Sequence, residues 1–303
     1  MTMGLQIRKA TADDIPGMML LFSSSIATPK SASFFQWWNN IPSIIYCAID
    51  EGELVGMFVV LKRKLNNNLN CGVLMGLLVN NVWRGRGLFK ELGDIAMDYF
   101  DDIDVFCCLT NQVGKKALEK NFDFRTIDTI VTMVLASDAD IDCHNYISTP
   151  ITPDTVFNYF KQEKEDNLMF LADGAFRQWR FALHHRSSYD MIRMDSNEFA
   201  VVSKYYDRER NIRYGDIVDF EPFAFNEDCL AKIFNCACVS LKNEVDMLTI
   251  QAVPNSLLHR AGKKMGFVET NMKHNFCMKV KKTSNDYLYD SSSWIIKWGD
   301  YLR

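Results

Sequence analysis

The sequence predicts a mixed α/β fold, with α+β-type mixed sheets, built twice in tandem along 303 residues. Two observations carry that prediction. The stretch Gly72 to Phe100 reads as a buried strand, a glycine-rich basic turn and an amphipathic helix in succession. The landmarks of the first half then return in the second. Asn111 is followed by Ala117 and Lys120, and 144 residues later Asn255 is followed by Ala261 and Lys264 at the same offsets. Gly72 finds its counterpart in Gly215, a shift of 143. A constant shift near half the chain length marks a duplication.

In chain order, residues 5–10 alternate as a strand, and Thr11-Ala-Asp-Asp-Ile-Pro opens a helix that turns Met18, Leu21 and Phe22 inward. Ser33 to Ile45 (SFFQWWNNIPSII) is aromatic at helical spacing, which suits a packed core and a binding lip equally. Residues 45–50 and 54–62 form a hairpin around Asp50-Glu51-Gly52-Glu53. Gly72 to Val79 is a short unbroken apolar run, hence a buried strand. Leu88, Leu92, Ile95, Ala96, Tyr99 and Phe100 draw one helix face after it. A strand at Val105 to Thr110, a helix from Gln112 to Lys120 and a strand at Thr129 to Leu135 complete the first half. Asp138 to Pro153, with its aspartates and prolines, is the expected linker, which sets domains at 1–140 and 141–303.

Composition narrows the function. A net charge of −4 and a pI near 5.8 supply no basic field for nucleic acid or an anionic membrane. Apolar runs are too short to span a bilayer, and the first residues lack the apolar segment of a secretion signal, so a soluble cytoplasmic protein is expected. Nine cysteines show no C-x-x-C pair and no histidine at metal spacing. Reduced core thiols and no metal are the expectation.

The chemistry sits at Arg84-Gly85-Arg86-Gly87, between the central strand and its helix. The first turn of a helix carries unpaired N–H groups and the positive end of the macrodipole. Gly85 and Gly87 keep side chains away from those groups, and Arg84 and Arg86 add charged donors at the rim. A diphosphate fits such a cradle. The nucleotide P-loop and the dinucleotide fingerprint are both absent, since Lys90 stands where the fingerprint needs its third glycine.

Arg84 and Gly87 match the first and fourth positions of [QR]-x-x-G-x-[GA], and the loop resembles the acyl-CoA loop of the GNAT acyltransferase superfamily; Phe89 departs from the small residue usual at the sixth. The order β-α-α-β-β-β-α-β-α-β resembles that family's topology as well. The resemblance implies a tandem GNAT fold with acyl-CoA (acetyl-CoA or a short hydroxyacyl-CoA) as co-substrate. The loop from Arg84 through Gly85, Arg86, Gly87, Leu88 and Phe89 would hold the diphosphate, and the strand at Leu77, Leu78 and Val79 would pair with the pantetheine arm. Asn111 matches the family's Asn beside that arm, though it also suits a helix N-cap. The family's usual helix tyrosine, the general acid, is replaced by Leu118.

Shifting Arg84 by 143 lands on Glu227-Asp228, acidic residues that satisfy a helix dipole internally and repel a diphosphate. The second half is therefore expected to be a degenerate GNAT-like copy that shapes the acceptor site. Between the halves, Asp173 to Tyr189 carries Trp179-Arg180, His184-His185 and a tyrosine. That segment, the Trp37-Trp38-Asn39-Asn40 stretch and the tail Trp294 to Asp300 resemble tandem GNAT proteins that N-acylate nucleotide-linked amino sugars in bacterial surface-polysaccharide (lipopolysaccharide, O-antigen) pathways. The resemblance implies an amino-dideoxy sugar on dTDP or UDP as acceptor, bound by Trp37, Trp38, Asn40, Trp179 and Arg180. Candidates for proton transfer are His184 and Asp219, beside Asn111. Competing readings are a small-amine or aminoglycoside acetyltransferase, whose cationic acceptor calls for acidic lining, and a non-catalytic acyl-CoA sensor.

Overall fold

The computed structural model describes residues 4–25, 30–38, 40, 43–136, 145–157, 167–184, 188–194, 198–282 and 286–300. They fall into two compact units. The first comprises Met1–Lys64, Asn68–Thr126 and Cys277–Ser284; the second comprises Leu65–Asn67, Ile127–Phe276 and Asn285–Arg303.

The first unit runs β1 (Gln6–Lys9), α1 (Ile15–Ser25), α2 (Ala32–Trp38), β2 (Ser43–Asp50), β3 (Glu53–Lys64), β4 (Asn70–Val79), α3 (Leu88–Asp98), β5 (Val105–Thr110) and α4 (Gln112–Phe122). Strands β1 to β4 form an antiparallel meander, and β5 joins β4 in parallel. Alternation along β3 divides the core. Phe58 and Val60 pack with Leu88, Leu92, Leu118 and Phe122 of α3 and α4. Gly93 permits this approach, because a Cβ there would lie 2.2 Å from the Phe122 ring. The alternate residues Met57 and Val59 lie beside Trp38 of α2 at Gly76. The far segment enters this unit through Cys277, which belongs to the same core, and Lys281, whose N–H donates to the Asp104 carbonyl at 2.8 Å.

The second unit takes most of β6 (Arg125–Ala136), then β7 (Tyr146–Pro150), β8 (Leu168–Met169), a short α5 (Gly174–Arg177) continuing as a π-helical turn at Gln178–Ala182, β9 (Tyr189–Met194), β10 (Phe199–Asp207), β11 (Ile212–Glu221), α6 (Glu227–Leu241), β12 (Met247–Ala252), α7 (Leu257–Lys264), most of β13 (Val268–Val280) and β14 (Trp294–Ile295). Pairing gives the order β7-β9-β10-β11-β12-β6. Its core gathers Leu230, Ile233, Phe234, Ala237 and Leu241 of α6 against Leu248, Ile250 and Val131.

The units repeat one construction. In the first, β4 and β5 pair only over Cys71–Val73 and Val105–Cys107; in the second, β11 and β12 pair only over Tyr214–Asp216 and Met247–Thr249. A register shift follows in each: between Met57 and Val59 opposite Gly76-Leu77, and between Val201 and Val202 opposite Val218. The duplication read from spacing is thus present in backbone geometry.

Two expectations are corrected. Residues 146–150 of the expected linker form β7, which pairs with β9; the stretch 138–144 lies outside the described residues. Among the described residues seven cysteines are free thiols, but Cys236 is disulfide-bonded, so the all-thiol expectation does not hold there.

Candidate acyl-CoA site in the first unit

The apolar run of β4 ends at Val79, and Asn80 starts the turn by accepting a hydrogen bond from the Val82 N–H at 3.1 Å. A single 3₁₀ turn, Asn81–Trp83, delivers the chain to Arg84. Gly85 and Gly87 both take left-handed backbone conformations, φ +75° and +85°, which an L side chain resists. Nothing lies within 4 Å of where a Cβ would sit on either glycine, so space stands open in front of the loop.

Gly87 caps α3 without any side-chain hydrogen bond. The other long helices of the repeat are closed: Asn111 accepts from the Gly114 N–H at 2.9 Å, Asn226 from Cys229 at 2.9 Å and Ser256 from His259 at 3.3 Å. Intrahelical bonding in α3 begins with the N–H groups of Lys90 and Glu91, both onto the Gly87 carbonyl, so those of Leu88 and Phe89 precede it. This terminus keeps its dipole and its donors for an anion.

The arginines differ in role. Arg84 turns its Nε–H back to the Val79 carbonyl at 3.2 Å, fastening the loop to the end of β4. Arg86 lies over the Trp83 ring at 5.2 Å, exposed and held by a cation–π contact. Phe89 is accommodated because its ring turns inward, 5.8 Å from Phe58 and 5.5 Å from Phe122, leaving its backbone at the loop.

Leu77 and Leu78 are half-buried, and Leu78 and Val79 pair with Met57 and Gly56 of β3. The β4–β5 pairing has already ended at Val73, so this part of β4 has an open margin where an amide-bearing chain can add in strand fashion. Exposed Asn111, at the end of β5, caps α4, so the N-cap alternative holds geometrically. Gly76 (φ +55°) shapes the bulge and was not singled out from sequence, although an isolated glycine inside a strand pattern signals a bulge.

The expected acceptor and acid–base residues fare differently. Trp37 and Trp38 are 4% and 2% exposed and pack in an aromatic cluster with Phe22, Phe34 and Phe35. Trp179 is 6% exposed against Phe176. A sugar or base finds no open ring face on them, which corrects their expected part in binding the acceptor. Asn40 is exposed in the turn after α2. In the second unit Arg180 is buried, and its Nη1–H donates to the Tyr189 hydroxyl at 2.9 Å. The half-buried His184 ring meets Tyr189 edge-on at 5.6 Å. These three residues form one cluster; His185 lies outside the described residues.

Asp219 is corrected as a base. It is 2% exposed, accepting from Arg177 Nε at 2.7 Å and Lys297 Nζ at 2.8 Å. Burial alone would raise its pKa, but the two cations outweigh that and hold the carboxyl well below the usual carboxylate range. A carboxylate so satisfied has no appetite for a proton. Glu221 accepts from the same guanidinium at 2.5 Å, and Lys297 also donates to the Phe220 carbonyl at 2.7 Å. Sequence offers no signal for this network, whose partners stand 42, 44 and 78 residues apart.

Comparison with known proteins now decides the family. Residues 6–106 match the model of an acetyltransferase (GNAT) domain. That stretch is a GNAT domain. Comparison with curated proteins yields no significant sequence match. Among solved structures, this chain resembles a GCN5-related N-acetyltransferase from Anabaena variabilis at 9% identity and TM-score 0.66, over 91% of this chain and 72% of that one. A tandem GNAT protein from the clavulanic acid biosynthesis pathway aligns at 13% identity and TM-score 0.57, over 93% and 100%. Saccharomyces cerevisiae N-myristoyltransferase, solved with myristoyl-CoA, aligns at 11% identity and TM-score 0.61, over 98% and 90%. These likenesses are of fold, and they carry the tandem GNAT architecture across the chain. The family match supports acyl-CoA-dependent N-acyl transfer as the activity class. Among the described residues no helix is long and apolar enough to cross a membrane, and no cluster of His, Cys, Asp or Glu could hold a metal.

Proposed function

We propose that this GNAT protein moves a short acyl group, acetyl or hydroxyacyl, from acyl-CoA to the amine of a nucleotide-linked amino-dideoxy sugar, with residues 1–140 holding acyl-CoA and residues 141–303 contributing to the acceptor site. The observation that carries the acyl-CoA half is the α3 N-terminus, opened by two left-handed glycines and left without a side-chain cap. The acceptor half is supported by the sequence resemblance around Trp179-Arg180, His184 and the tail from Trp294.

In this reading a neutral amine nitrogen attacks the thioester carbonyl, the N–C bond forms, the C–S bond breaks, and the proton lost by the amine balances the one gained by the CoA thiolate. The N–H groups from Gly85 to Phe89 hold the diphosphate, and Leu77 to Val79 hold the pantetheine amides. With Asp219 withdrawn, His184 or a water chain takes the amine proton.

The test is thiol release from acetyl-CoA with a panel of dTDP- and UDP-linked 3-amino and 4-amino sugars and free aminoglycosides. Release with a nucleotide sugar alone supports the proposal; release with an aminoglycoside alone overturns its acceptor half. One observation favours a second reading. Leu118, where the family keeps its acidic tyrosine, is fully buried in the core and offers no proton. An acyl-CoA sensor would bind CoA and release no thiol with any acceptor.

A further inference from the structure

We infer that Trp38 is a specificity-determining residue of the acyl-CoA site, its indole N–H donating a hydrogen bond to an oxygen of the acyl group. The inference rests on the acyl-CoA reading above and adds a residue that the loop and strand do not supply.

Trp38 is 2% exposed, and its Nε1 is buried without a hydrogen-bond partner among the described residues. Buried donors are paired in almost all folded proteins, so this one calls for an acceptor. The ring's aromatic neighbours, Phe22 at 6.2 Å, Phe34 at 5.0 Å and Phe35 at 6.1 Å, explain its packing but offer no oxygen. Its position offers one. Trp38 Cη2 stands so close to Gly76 that a Cβ there would lie 2.7 Å away, and Nε1 belongs to the same rigid indole. Gly76 (φ +55°) belongs to the bulged stretch of β4, just past the last residue paired with β5, where Gly76, Leu77 and Leu78 are half-buried.

Trp38 therefore backs the strand at the point where its margin opens. The other atoms nearest that Cβ position are Val59 Cγ2 and Met57 Cε, at 3.2 and 3.5 Å, so the side chains gathered at Gly76 are apolar apart from the indole N–H. One donor in an apolar wall fits a short acyl group carrying an oxygen near its thioester end. Two oxygens qualify: the thioester carbonyl, and a hydroxyl on the acyl chain.

The test is calorimetric titration of wild type and Trp38→Phe with CoA, acetyl-CoA and 3-hydroxybutyryl-CoA. The substitution removes the N–H and keeps an aromatic ring. We expect CoA affinity to be unchanged and the added affinity of an acylated ligand over CoA to fall about fivefold, the size of one neutral hydrogen bond. A loss with both acyl ligands identifies the carbonyl as acceptor; a loss with the hydroxyacyl ligand alone identifies the hydroxyl. Unchanged acyl preference, or an equal loss for CoA and its thioesters, overturns the inference. Wild type that binds no CoA at all overturns the acyl-CoA reading itself, a different result. Should Trp38→Phe fail to fold, ¹⁵N-indole spectra of the wild type decide: one indole proton must shift downfield with acetyl-CoA or hydroxyacyl-CoA and not with CoA, and its failure to shift with either sinks the proposal.

Discussion

Gly87 and Gly52 make a matched pair that separates backbone strain from binding. Both have φ near +85° (+85° and +87°), and neither has a neighbour within 4 Å of a would-be Cβ. Alanine at either position should cost about 1–2 kcal/mol of stability through the left-handed backbone alone. Only Gly87→Ala should also weaken CoA, by about tenfold or more, since the methyl group stands at the uncapped helix end. Paired chemical denaturation and CoA titration of the two variants check this. Asp219 carries the second prediction at this scale. Its pKa is lowered in the folded protein, so its stabilisation is present above the unfolded carboxylate value, about 3.9, and is lost as pH falls through the lower folded value. Asp219→Asn leaves Arg177 and Lys297 buried with one charge fewer between them, and should cost about 3–5 kcal/mol between pH 5 and 8. Urea unfolding of wild type and variant across pH 4 to 8 reads both; a flat difference is expected, and a difference that vanishes near neutral pH would contradict the ion-pair account.

Elements governed by local periodicity were legible in the sequence. Val105–Thr110 is a strand with the expected ends, and the helix after Gly87 starts at Leu88 as spacing predicts. Strands ran longer than their apolar runs: β6 spans Arg125–Ala136, and β4 begins at Asn70 because pairing with β3 carries it past the hydrophobic stretch. The loop motif was legible because its residues are consecutive. The side-chain partners were not. Trp37 and Trp38 follow a spacing that serves core and lip alike, and only the surrounding phenylalanines decide for the core. Helix ends give the element-scale prediction. Asn226→Ala removes the cap of α6 and should cost about 1 kcal/mol. CoA affinity should not change, because Glu227 and Asp228 of that first turn are already paired with Arg260 and Lys264 at 2.7 and 2.5 Å. A loss of CoA binding on this substitution would place a ligand at α6.

At the scale of the whole molecule, one construction occurs twice with opposite chemistry at its helix ends. The first unit presents Arg84 to Gly87 before α3; the second presents a capped, acidic first turn on α6 and a buried Arg177–Asp219–Lys297 network on β11. Titration should give one CoA per chain, and Arg84→Ala, which frees the loop from the Val79 carbonyl, should weaken it without lowering the stoichiometry. Two equivalents would show a working site in both units. The membership of the first unit has a further consequence. Residues Cys277–Ser284 are part of it, Cys277 within its core and Lys281 bonded to Asp104. Domains on a growing polypeptide generally fold as the ribosome releases them, amino-terminal first. Here the unit that carries the Arg84–Gly87 loop must wait for Cys277–Ser284, which are made after most of the second unit, so a nascent chain holds the loop long before it holds the finished unit around it.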